Sequence, residues 1–403
     1  MGKGSVSEHI VILGGGFAGW YAARALAPRL RSGNRITLID RVDHMLYTPM
    51  LTEVAGGTIQ PHSVAVPMKR LPRRVRFVQG EIAAVDVGAK SVTLASGEVL
   101  RATQLVFALG STTSYHGIEG AREHSVPLKT LEDASCVLLK GNELVARVAV
   151  CADAQQRREL LTIAVAGGGY TGVETISAVA EHLRRRVQDA GLRSDEVNAI
   201  LIEPTDRLMR ETPAPLALYS QQLLEQQGVR VMLNVGVKSV QGNTVSLSNG
   251  EQIRAGLLVW DTGIEPSPLL REVQLPLGKH HGVVVDACFR VQGLPGVWAI
   301  GDCAEIPQED GRSYAATAQN ATREGVHLAQ NISATLRGDA PRPFRFTMLG
   351  QLALLSDRKA VAEILGVQIR GFLAWGLWWA IYIAKLPSLP GRAAVLKQLT
   401  TGR

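Results

Sequence analysis

The chain has 403 residues, of which 46% are apolar and 20% are charged, and its formal net charge is +7 at pH 7. This length and composition exclude a disordered chain and predict a globular protein of two or three domains. The positive net charge alone is compatible with an anionic membrane or a nucleic acid as a partner.

The cysteines form no C-x-x-C pair and show no metal-ligand spacing: Cys136, Cys151, Cys288 and Cys303. We therefore expect no metal site, and we interpret these side chains as small core residues in a reducing compartment. No signal peptide precedes the first predicted strand, which favours a cytoplasmic location.

The first predicted element is a nucleotide-binding loop in IVILGGGFAGWYAARAL, residues 10–26. A strand leads into G-x-G-x-x-G (Gly14, Gly16, Gly19), a helical pattern follows, and Asp40 ends the next strand, RITLID. In such a unit the first glycine permits a tight turn, the second lets a pyrophosphate approach, and the third lets helix and strand pack. The helix N-terminus attracts the phosphates, and the acid accepts hydrogen bonds from a ribose.

The same pattern recurs 153 positions later in IAVAGGGYTGVETISAV, residues 163–179. Its glycines are Gly167, Gly169 and Gly172, and Glu203 ends the strand that follows the helix. A single G-x-G-x-x-G is weak evidence, but each copy here has the strand, helix and acid that the motif requires.

Two further segments share this offset, TLASGEVLRATQLVFALG at residues 93–110 and SLSNGEQIRAGLLVWDTG at residues 246–263. One offset over two separated segments predicts two copies of one nucleotide-binding unit. Two such sites in one chain favour a resident flavin and a nicotinamide nucleotide that comes and goes. Glu203 would repel a ribose 2′-phosphate, which favours NADH over NADPH, although Arg207 lies close by and leaves NADPH open.

Asp302 follows a predicted strand in GVWAIGDCAE, residues 296–305. In a flavoprotein with two dinucleotide sites, its carboxylate would bond the ribityl chain of the flavin. The alternative is that Asp302 caps the next helix.

The last predicted helix lies in GFLAWGLWWAIYIAK, residues 371–385, of which residues 371–384 carry no charge. A membrane-spanning helix needs about 20 apolar residues, and Pro387 stops the helix from continuing, so we expect no span. Basic residues surround the segment, and no acid follows residue 364: Arg370, Lys385, Arg392, Lys397 and Arg403. An interfacial helix on anionic lipid and a dimer interface both fit this pattern.

At helical spacing this segment is apolar all round, with an aromatic and an aliphatic face. The aromatic face contains Phe372, Trp375, Trp379, Tyr382, Ile383 and Leu386, and the aliphatic face contains Leu373, Leu377, Ala380, Ile381 and Ala384. We expect the aliphatic face to pack on the protein and the aromatic face to lie among lipid headgroups.

Longer motifs add a family resemblance that covers nearly the whole chain. They are DRVDHMLYTPMLTEVAGGTIQPHSVAVPMKRL (residues 40–71), GGGYTGVET (167–175), GVWAIGDCA (296–304), ATAQNATREG (316–325) and GQLALLSDRKAVAEILGVQIRGFLAWGLWW (350–379). Together they resemble the type II NADH dehydrogenase family, the single-subunit NADH:quinone oxidoreductases.

The resemblance implies FAD, NADH and a membrane quinone. It implies FAD contacts from Gly14, Gly16, Gly19, Asp40, Thr48, Gly110 and Asp302, and NADH contacts from Gly167, Gly169, Gly172 and Glu203. It places Glu174 near the isoalloxazine and the nicotinamide, and Gln319 where flavin and quinone meet. On the residues alone, each side chain also fits a structural role. Glu174 would be an acid in the first turn of a helix, and Gln319 would be a buried amide that bonds the backbone. Arg323 stands where the family often has a second glutamine.

The predicted fold is α/β, with two doubly wound Rossmann-like dinucleotide-binding domains and a C-terminal membrane-associating helical region. The FAD-binding domain would comprise residues 1–115 and 275–340, the NADH-binding domain residues 116–274, and the attachment region residues 341–403. The predicted enzyme oxidises NADH through FAD and passes two electrons to a membrane quinone without pumping protons. It would lie peripherally on the cytoplasmic face of the membrane, through residues 371–385, with no nucleic-acid partner and with a homodimer open.

Three other functions share some of these features. A flavin disulfide reductase places two cysteines soon after the first acid, and residues 41–80 contain none. A sulfide:quinone oxidoreductase needs a cysteine pair near the flavin, and no cysteine follows Cys303. A flavin-bearing NADH sensor that dimerises through its aromatic tail remains the alternative from another class.

Overall fold

The computed structural model describes residues 7–356 and 358–401, and the chain divides into two compact units. The first unit comprises residues 1–46, 65–112 and 264–348, and the second comprises residues 47–64, 113–263 and 349–403. Arg403, one of the basic residues of the tail, lies outside the described residues.

The core of the first unit is a five-stranded parallel sheet. In spatial order its strands are Val297–Ala299, Gln104–Phe107, His9–Leu13, Arg35–Asp40 and Val75–Gln79. The helices Phe17–Leu26 and Ala318–Arg337 pack against each other. Their approach is so close that a Cβ on Gly325 would lie 2.3 Å from the carbonyl oxygen of Ala18. The central strands read as continuous apolar runs because a parallel sheet is covered on both faces.

Smaller elements complete this unit. A three-stranded antiparallel sheet contains Ile82–Asp86, Ser91–Leu94 and Val99–Arg101, and short strand pairs are His44–Leu46 with Ala65–Pro67, Val283–Val284 with Ala304–Glu305, and Ser111–Thr113 with Ile264–Pro266. Single 3₁₀ turns lie at Met68–Arg70, Pro268–Glu272 and Gly301–Cys303.

The second unit has a core sheet of the same design, again five-stranded and parallel. Its strands in spatial order are Val126–Pro127, Leu257–Trp260, Thr162–Ala166, Asn198–Glu203 and Val229–Leu233, and Val237–Gln241, Thr244–Leu247 and Gln252–Arg254 form its antiparallel sheet. The strands His9–Leu13 and Thr162–Ala166 are 153 positions apart, as are Gln104–Phe107 and Leu257–Trp260. The structure therefore confirms the predicted α/β repeat with parallel sheets.

Besides the helices of the tail, the second unit contains seven α-helices among the described residues. They are Leu51–Ala55, Pro61–Val64, Ala121–His124, Leu131–Ala149, Ala154–Leu160, Tyr170–Asp189 and Ala214–Gln226, with 3₁₀ turns at Thr48–Met50 and Ser194–Glu196. Residues 47–64 belong here because they pack on the tail of the chain: the Tyr47 hydroxyl donates to the carbonyl oxygen of Tyr382 at 3.1 Å. The carboxamide oxygen of Gln398 accepts from the backbone N–H of Gln60 at 3.1 Å.

The tail of the chain, residues 349–401, also packs within the second unit. It begins with a three-stranded antiparallel sheet, Gly350–Ser356, Lys359–Ile364 and Val367–Gly371, followed by the helices Phe372–Lys385 and Leu389–Thr401. We call these parts the tail sheet and, for Phe372–Lys385, the tail helix. The C-terminal region was predicted as helical, and that was wrong for residues 350–371. No helix in the described part of the chain is long and apolar enough to cross a membrane.

The tail helix packs on the protein through a different side from the aliphatic face that was predicted. Its fully buried side chains are Ala374 and Trp378, and Trp379 is 6% exposed, whereas the aliphatic Leu373 is 71% exposed. The rings of Trp378 and Tyr382 meet edge to face with centroids 4.6 Å apart. Burial follows these large rings because they remove the most apolar surface from water.

The compact units differ from the boundaries predicted from sequence. Residues 47–64 and 349–401 pack with the second glycine-loop unit, whereas the prediction gave the former to the FAD-binding domain and treated the latter as a separate region. Residues 264–274 pack with the first unit rather than the second.

Candidate functional site

The first cradle, defined by Gly14, Gly16, Gly19 and Asp40, lies at the carboxyl ends of the central strands of the first unit. Gly14 has a φ of +102°, and a Cβ there would lie 2.2 Å from the carbonyl oxygen of Ala108. A Cβ on Gly19 would lie 1.9 Å from the carbonyl oxygen of Gly14. Only glycine permits this packing.

The start of the helix in this cradle is open to a ligand. Gly16 is the exposed N-cap of the helix Phe17–Leu26, no side chain caps it, and a Cβ there would meet nothing within 4 Å. The first N–H groups of a helix have no partner within the helix and carry partial positive charge, which suits a pyrophosphate.

Asp40 is fixed beside the loop by two backbone groups. Its Oδ2 accepts from the N–H of Gly15 at 2.5 Å, and its Oδ1 accepts from the N–H of Val42 at 3.1 Å. Each carboxylate oxygen has a second lone pair, so the partly exposed group can also accept from ribose hydroxyls.

The turn that carries Asp302 borders a pocket in the same unit. The Ser111 hydroxyl donates to Asp302 Oδ2 at 2.7 Å, and the N–H of Gly301 donates to Glu324 Oε2 at 2.7 Å. Asp302, Thr317 and Glu324 all line this pocket. Burial raises the pKa of Glu324 to about 8, and the charge of Asp302 adds to the rise, while the bond from Gly301 opposes it. The predicted strand ends earlier, at Ala299, and Asp302 lies in the 3₁₀ turn.

Gly110 and Gln319 also lie in the first unit. Gly110 has a φ of +65° and directly precedes Ser111, the partner of Asp302. Gln319 is the second residue of the helix Ala318–Arg337 and is partly buried. Its backbone carbonyl accepts from the guanidinium of Arg323 at 3.0 Å, and that guanidinium lies 4.0 Å from the ring centroid of Phe346.

Thr48 is the one predicted flavin contact that the structure places in the other unit. It is the exposed first residue of the 3₁₀ turn Thr48–Met50, within the segment that packs on the tail. The structure therefore does not group Thr48 with Asp40 and Asp302 in one compact unit.

The second cradle, defined by Gly167, Gly169, Gly172 and Glu203, repeats the geometry of the first. Gly167 has a φ of +109°, and a Cβ there would lie 2.0 Å from the carbonyl oxygen of Asp261. A Cβ on Gly172 would lie 1.9 Å from the carbonyl oxygen of Gly167. Gly169 is the exposed N-cap of the helix Tyr170–Asp189, and a Cβ there would meet nothing within 4 Å.

Glu203 is a buried carboxylate at the end of its strand, with 9% of its surface exposed. Its Oε2 accepts from the N–H of Gly168 at 2.6 Å, and its Oε1 accepts from the N–H and the hydroxyl of Thr205 at 2.9 and 2.6 Å. These bonds hold the acid against the loop, as Asp40 is held in the first cradle. The nearby guanidinium of Arg207 donates to the carbonyl oxygen of Arg210.

Glu174 joins the second cradle to the tail. It lies in the second turn of the helix Tyr170–Asp189, so its placement in the first turn was wrong. Its Oε1 accepts from the N–H of Leu354 in the tail sheet at 2.8 Å and from Trp378 Nε1 in the tail helix at 3.1 Å. Burial raises the pKa of Glu174 to about 8, and the charge of Glu53 adds to the rise, while both hydrogen bonds oppose it.

Sequence reasoning missed three other acids whose pKa values are raised. Burial raises the pKa of Glu53 to about 7 and that of Asp261 to about 7, and Glu324 is the third. Glu53 lies among mostly apolar residues in LTEVA, whereas Glu324 lies in the polar stretch ATREG and Asp261 follows a strand. Their burial depends on tertiary packing that no local pattern reports.

Known proteins resemble this chain over nearly its full length. The sequence profile described as pyridine nucleotide-disulphide oxidoreductase matches residues 8–325. The type II NADH:quinone oxidoreductase Ndh of Mycobacterium tuberculosis is 30% identical over 407 residues, which cover 94% of this chain and 84% of that protein. The chain belongs to the type II NADH:quinone oxidoreductases. The demethylphylloquinone reductase NdbB of Synechocystis sp. is 30% identical over 391 residues, 94% of this chain and 92% of that protein.

The fold of this type II oxidoreductase matches a solved structure at lower identity. NDH2 from Plasmodium falciparum in complex with NADH superposes with a TM-score of 0.91 over 98% of both chains, at 19% identity. Family membership implies that the oxidoreductase binds a flavin and NADH. The open helix start at Gly16, the pocket beside Asp302 and the repeated open start at Gly169 fit two dinucleotides.

The cysteines of the oxidoreductase do not favour sulfur chemistry. Burial raises the pKa of Cys303 to about 12, and burial also raises that of Cys288. Cys136 and Cys151 are partly buried and free, and the described residues contain no cluster of three or more metal-ligating side chains. The sulfide:quinone and disulfide reductase alternatives are therefore not favoured.

Proposed function

We propose that the protein binds FAD in the first cradle and NADH in the second, and that it oxidises NADH and reduces a membrane quinone. The observation that carries this proposal is the repeated cradle, in which a glycine loop, an open helix start and a fixed acid occur twice in one chain. The names of its relatives support both NADH and quinone as substrates.

Several groups of the first unit support FAD as the resident flavin. The N–H groups at the start of Phe17–Leu26 would hold the pyrophosphate, and Asp40 would accept from the adenosine ribose. Asp302, oriented by the Ser111 hydroxyl, would accept from the ribityl chain. When bound, the flavin would supply the redox chemistry, which is hydride acceptance from NADH and transfer of two electrons to a quinone.

The second unit supplies the dinucleotide specificity. Glu203 would accept from the ribose hydroxyls of NADH, and its buried negative charge disfavours the 2′-phosphate of NADPH. Glu174 accepts hydrogen bonds from the tail, and burial raises its pKa to about 8. Such a pKa suits a group that holds a proton near neutral pH. Gln319 would orient the flavin and quinone through its carboxamide.

Steady-state turnover tests this function and separates an enzyme from a sensor. With FAD-loaded protein, NADH and a water-soluble quinone, we expect rapid NADH oxidation that depends on the quinone, with NADPH oxidised more slowly. A long-lived reduced protein that quinone does not reoxidise would contradict an enzyme and favour the NADH sensor. Glu203→Gln should weaken NADH binding, and an unchanged dissociation constant for NADH would contradict the role of Glu203.

We also propose that the tail attaches the protein peripherally to the cytoplasmic face of an anionic membrane. Large apolar side chains are exposed at the start of the tail helix and on the helix that follows: Phe372, Leu373, Leu389 and Leu396. The exposed cations Arg370 and Lys385 flank the tail helix, and each basic group near an anionic surface adds about 1 kcal/mol of attraction. Exposed apolar side chains beside basic ones are typical of interfacial helices.

Point variants test this attachment better than removal of the tail, because the tail helix also holds Glu174. The double variant Phe372→Ser, Leu373→Ser should release the protein from anionic lipid vesicles without changing its melting temperature by more than a few degrees. The control is Leu218→Ser, another exposed leucine of the second unit. Undiminished sedimentation of the double variant with vesicles would contradict attachment through the tail helix.

A further inference from the structure

A buried carboxyl lies on a short helix that packs against the helix that carries Glu174. Glu53 is 4% exposed, in the helix Leu51–Ala55. The residues after it pack tightly on the helix Tyr170–Asp189: a Cβ on Gly56 would lie 2.7 Å from Ala178 Cβ, and one on Gly57 would lie 3.0 Å from His182 Nδ1.

The face of the helix Tyr170–Asp189 that meets this segment carries two acids, Glu174 and Glu181. Glu174, Ala178 and Glu181 follow one another at the spacing of helical neighbours, and Glu53 interacts electrostatically with both Glu174 and Glu181. Glu174 is held by the tail, Glu53 is buried, and the Glu181 side chain is 37% exposed and lies 3.9 Å from the guanidinium of Arg185. Glu174, Glu53 and Glu181 therefore form a row of carboxyl groups from the tail to solvent.

The reaction under Proposed function, on which this inference rests, consumes one proton from water: NADH + H⁺ + quinone gives NAD⁺ + quinol. We propose that Glu53 relays this proton, taking it from solvent at Glu181 and passing it to Glu174. In each step an O–H bond breaks on the donor carboxyl and one forms on the acceptor carboxylate. No electrons move along this path.

The surroundings of the two carboxyls suit such a relay. Burial raises the pKa of Glu53 to about 7, opposed by the Thr58 hydroxyl, with Glu181 adding to the rise and Arg185 opposing it. Because the charge of Glu53 also raises the pKa of Glu174, the two acids resist ionising together. Burial lowers the pKa of His182 to about 4, so this neighbour is neutral at neutral pH.

The remaining groups that face the pair are few among the described residues. They are Asp261, Tyr170 and Tyr382, all with raised pKa values, and Leu138 and Asn142 from the helix Leu131–Ala149. The two tyrosines stay protonated at neutral pH, and Asn142 is uncharged. The carboxyls are therefore the groups in this cluster that exchange protons near neutral pH.

Two buried hydroxyls beside the acids would bind an ordered water. Thr52 Oγ1 and Thr175 Oγ1 have no hydrogen-bond partner among the described residues, and each belongs to the sequence neighbour of one of the acids. A buried hydroxyl without a partner costs about 1–3 kcal/mol, and a bridging water removes that cost. Such water would carry a proton between carboxyls that share no direct hydrogen bond.

Pre-steady-state kinetics of Glu53→Gln test the relay. Flavin reduction by NADH should stay within about twofold of wild type, whereas reoxidation of the reduced flavin by quinone should slow at least about tenfold above pH 7. Glu53→Asp should restore part of the rate, and Glu225→Gln, an exposed acid on the helix Ala214–Gln226, should behave as wild type. Reoxidation of Glu53→Gln at the wild-type rate from pH 6 to 9 would overturn the relay.

Infrared spectroscopy gives a readout without turnover. In protein free of NADH and quinone, the carboxylic C=O band that titrates near neutral pH should lose intensity in Glu53→Gln, and the remaining band should titrate at lower pH. An unchanged band would overturn the proposal, and Glu181→Gln repeats the kinetic test should Glu53→Gln not fold. Failure of wild-type protein to reduce quinone would instead contradict the proposed function itself.

Discussion

In each cradle, two glycines pack so closely on the backbone that a side chain does not fit. The spacing of these glycines was enough to predict their roles from the sequence. A Cβ on Gly19 or on Gly172 would lie 1.9 Å from the carbonyl oxygen of the first glycine of its loop. The spacing of the motif encodes this contact, and both fixed acids, Asp40 and Glu203, were also predicted as loop partners of a nucleotide.

Substitution of Gly172 tests this packing against a matched glycine. Gly172→Ala should abolish detectable NADH binding, because its methyl group forces the helix away from the loop. Gly376→Ala in the tail helix should leave NADH binding unchanged, since a Cβ there would meet nothing within 4 Å, and should stabilise the fold by up to about 1 kcal/mol. Calorimetric titration with NADH checks both variants, and tight binding by Gly172→Ala would contradict the account.

The buried acids mark the limit of sequence reasoning at this scale. Glu53 and Glu324 occur in helices whose local sequence does not distinguish them from surface acids. Their depth follows from neighbours far away in the chain, such as Gly301 for Glu324 and Ala178 for the segment after Glu53.

Among the elements, the position and the length of the tail helix were predicted from the sequence, but the face that it buries was not. Its bounds, Phe372–Lys385, agree with the uncharged run, and it ends just before Pro387. Because the helix is apolar all round, its periodicity could not choose the buried face. The buried face carries Trp378, whose Nε1 donates to the distant Glu174. The tail sheet was missed because the resemblance indicated a region and not its secondary structure.

Two neighbouring tryptophans of the tail helix test this contact. Trp378→Phe removes one of the two donors to Glu174 Oε1 and should lower the free energy of unfolding by about 0.5–1.5 kcal/mol through the loss of this hydrogen bond. Trp379 Nε1 is buried without a partner among the described residues, so Trp379→Phe should cost less. Urea unfolding of both variants gives the comparison, and an equal or reversed order would contradict the role of the Glu174 bond.

Over the whole molecule, the repeat of 153 residues was visible in the sequence. The two core sheets match in the order of four strands, and only one edge strand comes from a different place in the chain. The assignment of residues 47–64 and of the tail to the second unit was not predictable. It depends on side-chain contacts such as those of Tyr47 and Gln398, which have no periodic signature.

The acids with raised pKa values predict how stability depends on pH. Glu53, Glu174 and Glu324 have pKa values of about 7, 8 and 8 when folded, above the ordinary 4.5. Between about pH 4.5 and 8 the folded state keeps protons that the unfolded chain has lost, so these groups lower stability as pH rises. The slope is at most about 1.4 kcal/mol per group per pH unit.

Urea unfolding at pH 5 to 8 measures this slope. Glu324→Gln should flatten it, whereas the exposed Glu225→Gln should not. An identical pH dependence in Glu324→Gln and wild type would contradict the assignment of Glu324 as a protonated buried acid.

The most direct test of two dinucleotide cradles acting in series is the visible spectrum of the purified protein under anaerobic conditions. We expect a flavin absorption band that NADH bleaches and that a quinone analogue then restores, with FAD as the released flavin. Protein that stays colourless after FAD is supplied, or a flavin band that NADH does not bleach, would contradict the account.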